Sequence, residues 1–266
     1  MSASYDSIIL KHYRDEAQQH GDAATSTMSD LRTRKLETDF LLGFIARYVP
    51  ADGSIADFGC GNGFTLAQIR AAFPKLRLTG FEFTPDLCKI ATERFAGDPK
   101  TEIVAGDIRQ PARDASFDAV VCQRVLINLL DPQDQAAGLR NLAAALVPGG
   151  YLALIEAFNA PLNNLNAARA EFGLPPLPPA HHNLYLADTF FEVEKSLEPA
   201  RDPALPENFL STHYFVSRVL HPLALEDRPF VRNSHFVKFL SSALQPAVGD
   251  YSPVRGRIFR KNGPQK

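Results

Sequence analysis

The 266-residue sequence predicts an α/β protein built on a mostly parallel, twisted sheet with helices on both faces. Two observations predict it. Apolar segments of strand length alternate with longer segments of helical periodicity through the first half of the chain. A glycine-rich turn, Gly59-Cys60-Gly61-Asn62-Gly63, joins the first of those strands to the next helix, the place where doubly wound sheets bind ligands. The length suits a single domain over 1–266 with a sizeable core.

Each element follows from local pattern. Leu36, Phe40, Phe44, Ile45 and Tyr48 recur at helical spacing, so 36–48 is an amphipathic helix, and Pro50-Ala51-Asp52-Gly53 is the turn after it. Ser54–Phe58 is a short strand. Phe64 to Phe73 returns to helical periodicity and stops at Pro74. Arg77–Phe83 is the second strand. A helix over Pro85–Phe95 follows, with proline in the first turn, where a missing N–H is tolerated. Thr101–Ala105 is the third strand. Phe117–Cys122 is the fourth, and its valines suit burial on both faces. Gln133–Leu146 is a helix stopped by Pro148-Gly149-Gly150, and Tyr151–Glu156 is the fifth strand. Beyond it Asn159–Phe172 is expected to be helical, and Pro175, Pro176, Pro178 and Pro179 mark a loop. Phe190–Leu197 and Asn208–Val219 are expected strands, and Phe236–Leu244 a helix. The expected organisation is an N-terminal helical cap over 1–50, a binding core over 51–157, a cap insertion over 158–187, and remaining strands with a basic C-terminal segment over 188–266.

Composition excludes several classes. A hydrophobic content of 45% excludes disorder. Cys60, Cys88 and Cys122 cannot form a disulfide framework and suit a reducing, cytoplasmic compartment. No apolar run reaches the roughly 18–20 residues of a membrane span, and the polar N-terminus through Glu16 lacks a secretory core, so no membrane partner is expected. A net charge of −2 argues against wholesale nucleic-acid binding. Charge is nevertheless uneven. Between Arg228 and Lys266 the basic residues are Arg228, Arg232, Lys238, Arg255, Arg257, Arg260, Lys261 and Lys266, and Asp250 is the only acid. That stretch is either a solvated basic tail or a patch for an anionic substrate.

The glycine turn carries the most chemistry. Glycines at 59, 61 and 63 let the backbone turn sharply and approach a ligand closely. A dinucleotide loop, G-x-G-x-x-G, places its third glycine where this chain has Phe64, which disfavours a diphosphate cofactor and hydride transfer. Glu82, ending the second strand, can accept from both hydroxyls of a ribose; otherwise it is an exposed strand-end acid. In Ala105-Gly106-Asp107-Ile108, Asp107 can accept from the exocyclic amine of an adenine while Ile108 packs on the ring, or Asp107 caps a helix. There is no G-x-S-x-G hydrolase turn. The adjacent His181 and His182 lack nearby spaced carboxylates, so no metal site is expected.

Taken together these segments resemble the class I S-adenosylmethionine-dependent methyltransferases. The likeness rests on Ile55–Gly63, Gly80-Phe81-Glu82, Gly106-Asp107, Phe117–Val121 and Leu146–Leu152, in the family's order and about its spacing, and covers roughly residues 35–157. It implies a Rossmann-like class I methyltransferase fold with S-adenosyl-L-methionine as cofactor. Gly59, Cys60, Gly61, Asn62 and Gly63 would face the methionine part and ribose, with Cys60 small and buried beside them. Asp57 would orient the loop or meet the cofactor amine. Glu82 would bind the ribose, Phe83 would pack on adenine, and Gly106, Asp107 and Ile108 would hold it. Gln123 would offer its backbone carbonyl to the amine, and Arg124 would flank the methionine part. A narrower likeness, to a bacterial subgroup associated with surface-polysaccharide or specialised-metabolite pathways, lies in Gln123-Arg124-Val125-Leu126-Ile127-Asn128-Leu129 and in Thr27–Asp30, Arg34–Glu37, Leu165–Arg169 and His182–Tyr185. That subgroup commonly has a tryptophan before its His-Asn pair; here His181 stands there.

Methyl transfer requires alignment, water exclusion and, for a hydroxyl acceptor, a base. His181 and His182 are the candidate catalytic bases, with loop hydrogen bonding as the alternative. Glu156, Asn166, Arg169, Asn183, Tyr185 and His213 are the candidate acceptor contacts, and Tyr13 a candidate closing residue on the same side. Arg34 is either a bidentate partner of the methionine carboxylate or a surface arginine. The expected function is O-methylation of a sugar-like or specialised metabolite. The alternatives are small-molecule N-methylation, RNA or protein methylation, and a non-catalytic cofactor-binding regulator. The partner expected is a small-molecule acceptor; oligomeric state is left open.

Overall fold

The computed structural model describes residues 3–20, 30–226, 228–231 and 233–263. Of the segments singled out above, Thr27, Met28, Ser29, Arg232 and Lys266 lie outside the described residues. Strands β1 (Ser54–Phe58), β2 (Arg77–Glu82), β3 (Thr101–Ala105), β4 (Phe117–Gln123), β5 (Leu146–Ala157), β6 (Leu197–Pro199) and β7 (Val254–Lys261) form one seven-stranded sheet in the order β3-β2-β1-β4-β5-β7-β6. The first five run parallel, and β7 lies antiparallel between β5 and β6. This is the Rossmann-like class I methyltransferase fold expected from the sequence. Helices α3 (Phe64–Ala72), α4 (Pro85–Arg94) and α5 (Pro132–Ala145) belong to the crossovers; α1 (Ala3–His20) and α2 (Leu31–Tyr48) precede the sheet. Helices α6 (Asn159–Glu171), α7 (Ser211–Phe215), α8 (His221–Leu225) and α9 (His235–Ala243) lie in the second half.

The strands read as continuous apolar runs because both faces are covered. Every residue of β1 is buried. Ile55 joins Phe44, Val121 and Ile155 in one core layer, while its neighbour Ala56 joins Val120, Leu142 and Leu154 in the other. The strand order reverses between β1 and its neighbours β2 and β4, opening the crevice where ligands of such sheets sit.

Three elements differ from expectation. Asn208–Val219 is helical rather than extended: Leu210, His213 and Ser217 are buried at helical spacing, and a π-helical turn, Val216–Leu220, continues α7. Phe190–Leu197 is a 3-10 turn, Phe190–Val193, followed by the short β6. Both Phe190 and Phe191 pack against the core, so the two-residue alternation of a half-buried strand is absent. Within the C-terminal basic stretch, Val254–Lys261 forms β7. Its arginines alternate with Val254, Gly256 and Ile258, which are buried, and Arg255 and Arg257 pair with Asp188, Asp250 and Glu207.

One buried carboxylate sets the geometry beyond β4. Glu156, at the end of β5, is fully enclosed. Its Oε1 accepts the backbone N–H groups of Val125 and Leu126, each at 2.9 Å, and its Oε2 that of Ile127 at 3.3 Å. These are the donors that a short 3-10 turn, Leu126–Asn128, leaves unmatched at its start. The expectation that Glu156 meets an acceptor is therefore corrected: its lone pairs serve the backbone. Glu156→Ala would orphan three buried N–H groups at about 1–3 kcal/mol each. Denaturant unfolding should then record a loss of at least ~3 kcal/mol; an unchanged midpoint would contradict this assignment.

Candidate active site

The crevice deepens into a cleft of about 1110 Å³ measured to its open mouth. Its floor is the turn after β1. Gly59, Gly61 and Gly63 all have positive φ, at 75, 58 and 76°. A Cβ at Gly59 would also collide with Val125, so only glycine satisfies both backbone and packing there. Gly63 starts α3 behind the cleft against Phe95, while Gly59, Cys60, Gly61 and Asn62 line it.

The acids converge as the sequence suggests. Glu82 is buried at the end of β2, and its two oxygens accept the N–H groups of Gly61 and Thr84, each at 2.8 Å. Each oxygen keeps a further lone pair for a diol. Burial raises the Glu82 pKa, against the pull of those hydrogen bonds. Asp57 lines the same cleft, and burial, reinforced by the charge of Glu82, pushes its carboxyl up to about 7. Asp107, Ile108, Gly106 and Phe83 form the far wall. Asp107 accepts the Arg109 N–H at 2.9 Å and its guanidinium at 2.6 Å, and that guanidinium lies over the Phe83 ring, 5.6 Å from its centroid.

At the other end Arg34 is buried in the cleft wall, 4.9 Å from the Phe64 ring centroid, and burial lowers its pKa to about 10. It is therefore not a surface arginine. Gln123 accepts from Thr65 Oγ1 at 3.1 Å and donates to Glu37. Arg124, with a φ of 58°, pairs with Glu37 through Nε at 3.0 Å and through Nη2. Glu37 is fully buried and was missed by sequence reasoning; its signal was an acid on the apolar face of α2, one turn after Arg34.

Helix α1 roofs the cleft with Tyr5, Asp6, Ile9 and Tyr13. Two latches hold it. Arg109 bonds Asp6 through Nη1 at 2.9 Å and Nη2 at 3.1 Å, and Tyr5 donates to Asp134. Asn128 donates to Tyr13 Oη at 2.7 Å and to the Arg124 carbonyl at 2.9 Å, while Asn183 donates to Asn128 Oδ1 at 2.7 Å. Burial pushes the Tyr13 hydroxyl up to about 12, so it stays protonated. With Asn128 filling one lone pair, Tyr13 retains its own proton for donation.

The remaining expected acceptor residues do not line this cleft. Asn166 binds both the N–H and the carbonyl of Leu177, and Arg169 bonds the carbonyls of Pro175 and Arg218; both clasp the proline loop. His213 is buried on α7 beside Asp30, the N-cap of α2, at 3.1 Å. These three expectations are corrected: each side chain is engaged in holding the cap together. Tyr185 is half-buried near Arg124. His182 stacks on His12 of α1 with ring centroids 4.1 Å apart, and His181 meets it edge-on at 5.0 Å. Burial, with His12 and His181 alongside, pushes His182 down to about 4, and its Nδ1 is buried without a partner.

The donor set fits one ligand class. Carboxylates for a diol and an amine, two apolar planes and a buried cation match an adenosyl amino acid better than a diphosphate, for which the loop offers no cation. Comparison with known proteins agrees. Residues 55–150 match the family model described as "Methyltransferase domain". The carboxy-S-adenosyl-L-methionine synthase of Chromohalobacter salexigens is 27% identical over 79% of this chain and 74% of its own length. The demethylmenaquinone methyltransferase of Deinococcus radiodurans is 32% identical over 43% of this chain and 46% of its own. Other curated relatives are matched over about 62% of their length. The solved N-methyltransferase NodS from Bradyrhizobium japonicum shares the fold, with a TM-score of 0.57, 17% identity, and coverage of 96% of this chain and 98% of that one. The chain thus shares the class I methyltransferase fold, and its residues 55–150 are similar to a methyltransferase domain.

Two measurements test the cleft. Calorimetric titration with S-adenosylhomocysteine should weaken at least about tenfold in Glu82→Ala, since a charge-assisted hydrogen bond contributes roughly 1.5–3 kcal/mol. Because Glu82 also holds the Gly61 and Thr84 amides, ligand-free stability should fall as well. The second is pH. Asp57 and Glu156 keep their protons to about 7 in the fold, against ordinary values of 3.8 and 4.5. Across that interval the folded chain binds more protons than the unfolded one, so stability falls as pH rises from about 5 to about 7. The ligand-free melting temperature should drop over that window, less steeply in Asp57→Asn; a rise would overturn both assignments.

Proposed function

We propose that this chain transfers the methyl group of S-adenosylmethionine to a small molecule, by in-line displacement onto a hydroxyl or acidic oxygen of a sugar-like or specialised metabolite. The observation that carries the small-molecule reading is the roofed cleft: α1 covers one side of it with Ile9 and Tyr13, an enclosure suited to a small acceptor. The arginines of β7 support it too, because Arg255 and Arg257 are matched by Asp188, Asp250 and Glu207 rather than left for a polyanion. The likeness of Arg124–Leu129 to the polysaccharide and specialised-metabolite subgroup supports the sugar-like acceptor.

When bound, S-adenosylmethionine supplies a methyl group already activated on a sulfonium. The chain's own residues do the rest. Glu82 would hold the ribose diol, Phe83 and Ile108 would pack on the adenine, Asp57 would meet the ammonium and Arg34 the carboxylate. Arg124 is fixed by Glu37 beside the reacting end, and Tyr13 donates its proton there. Helix α1 excludes water. His182, stacked on His12 of α1 outside the cleft lining, would act as the proton acceptor for a hydroxyl if the roof brings it to the acceptor.

A second reading is favoured by the same imidazole. A group held at about 4 is a weak base, which suits a nitrogen acceptor that needs only to arrive deprotonated. The synthase relatives add carboxyl transfer onto the cofactor as a third outcome. Incubation with methyl-labelled cofactor and a metabolite extract separates them by mass spectrometry. A labelled acceptor with S-adenosylhomocysteine supports methyl transfer. A carboxylated cofactor supports the synthase reaction, and unchanged cofactor supports a regulator. On the labelled acceptor, His182→Ala should lower turnover by about 10²–10⁴-fold if the acceptor is an oxygen. Normal turnover would assign the acceptor to nitrogen.

A further inference from the structure

More than half of the large apolar side chains left exposed among the described residues lie between 230 and 248. They are Phe230 at 54%, Val231 at 52%, Phe236 at 42%, Phe239 at 73%, Leu244 at 46% and Val248 at 56%. On α9 this is not a disordered scatter. Val237 and Ser241 face inward one turn apart, so Phe239 points directly away from the protein and Phe236 stands beside it. Ser234 caps the helix, and its inner face packs against α7 and the π-helical turn. Isolated apolar residues on a surface are ordinary, but a run of this kind on one rim marks an interaction site.

Charge says what kind. From Arg228 to Gly249 the chain contains Arg228, Arg232, Lys238 and His235, and no acid. Arg228 and Lys238 are exposed, Lys238 immediately beside Phe239. Glu226 and Asp227 precede the stretch and Asp250 follows it, and Asp250 is already bound by Arg255. An outward aromatic face flanked by cations is the pattern of a helix lying in the headgroup layer of an anionic bilayer. A second copy would bring the same basic patch against itself, like charge against like, whereas an anionic surface complements it. No helix among the described residues is long and apolar enough to cross a membrane, so the contact is peripheral.

The patch also touches elements that flank the site. Phe230 lies 5.9 Å from the Arg218 guanidinium, and Arg218 lies 5.6 Å from the Tyr214 ring centroid. Asn233 Oδ1 accepts the Leu31 N–H at 3.2 Å, at the start of the helix that brings Arg34 and Glu37 to the cleft. We propose that residues 228–249 dock this protein on an anionic lipid surface, with Phe236 and Phe239 inserted among the headgroups and Arg228 and Lys238 on lipid phosphates.

Co-sedimentation of the full chain with phosphatidylcholine vesicles, with and without phosphatidylglycerol, tests this. Binding should require phosphatidylglycerol and weaken with salt. It should fall at least about tenfold in Phe236→Ser/Phe239→Ser, and fall also in Lys238→Glu. S-adenosylhomocysteine titration of each variant verifies that the fold is retained; Lys238→Glu, an exposed change, keeps the test open if the double variant fails to fold. Absence of binding to anionic vesicles, or binding indifferent to these variants, overturns the proposal. So does a concentration-dependent dimer in sedimentation velocity that Phe239→Ser abolishes, which would assign the face to a second copy.

Discussion

The buried Glu156 carboxylate is the constraint on which the site depends. It sits at the end of β5 and gathers the amides of Val125, Leu126 and Ile127 from the turn that follows the neighbouring β4. A strand end and a turn are thereby locked together beneath the sheet's crevice. The turn in turn presents Arg124 at a positive φ to Glu37, and Asn128 to Tyr13. Removing a water-inaccessible carboxylate's partners is costly in either direction, so the arrangement behaves as a unit. The segment that resembles a substrate-associated signature is, in the fold, the hinge between core and roof.

The roof is held by polar contacts rather than by a large apolar interface. Arg109 spans Asp6 on α1 and Asp107 on the cleft wall, and Tyr13 hangs on the Asn183–Asn128 relay. Such contacts exchange readily with water, which suits an element that must open for a ligand of this size. Arg109 also occupies the acceptor capacity of Asp107, so an adenine amine would share that carboxylate with the guanidinium. Binding and closure therefore act on the same side chain.

Burial raises the cost of ionising both Asp57 and Glu82, and the charge of Glu82 adds to that of Asp57. A cationic ammonium and a diol would relieve that cost, which couples ligand binding to stability. The glycine turn beneath them adopts positive φ, which glycine accepts readily, and so leaves its backbone open to close approach by a ligand.

The sequence by itself determined the sheet's first five strands, their crossovers and the cofactor end of the cleft. Those features rest on local pattern: a β-strand's apolar run, proline and glycine stops, and a glycine turn whose spacing is contiguous in the chain. Gly59, Gly61, Asp57, Glu82 and Asp107 were legible because each sits at a strand end, where position alone fixes direction. Only the tertiary structure decided the acceptor side. Whether Asn166, Arg169 and His213 face a substrate or clasp a loop depends on contacts with Leu177, Pro175 and Asp30, and the last of these lies far away in sequence. Glu37 reads as an ordinary helix acid until Gln123 and Arg124 close on it. The strand β7 was hidden because its arginines obscure the alternation of Val254, Gly256 and Ile258, and because the acids that neutralise them come from distant loops. Local periodicity reports which face of an element is buried; it carries no information on which distant polar group will meet it there.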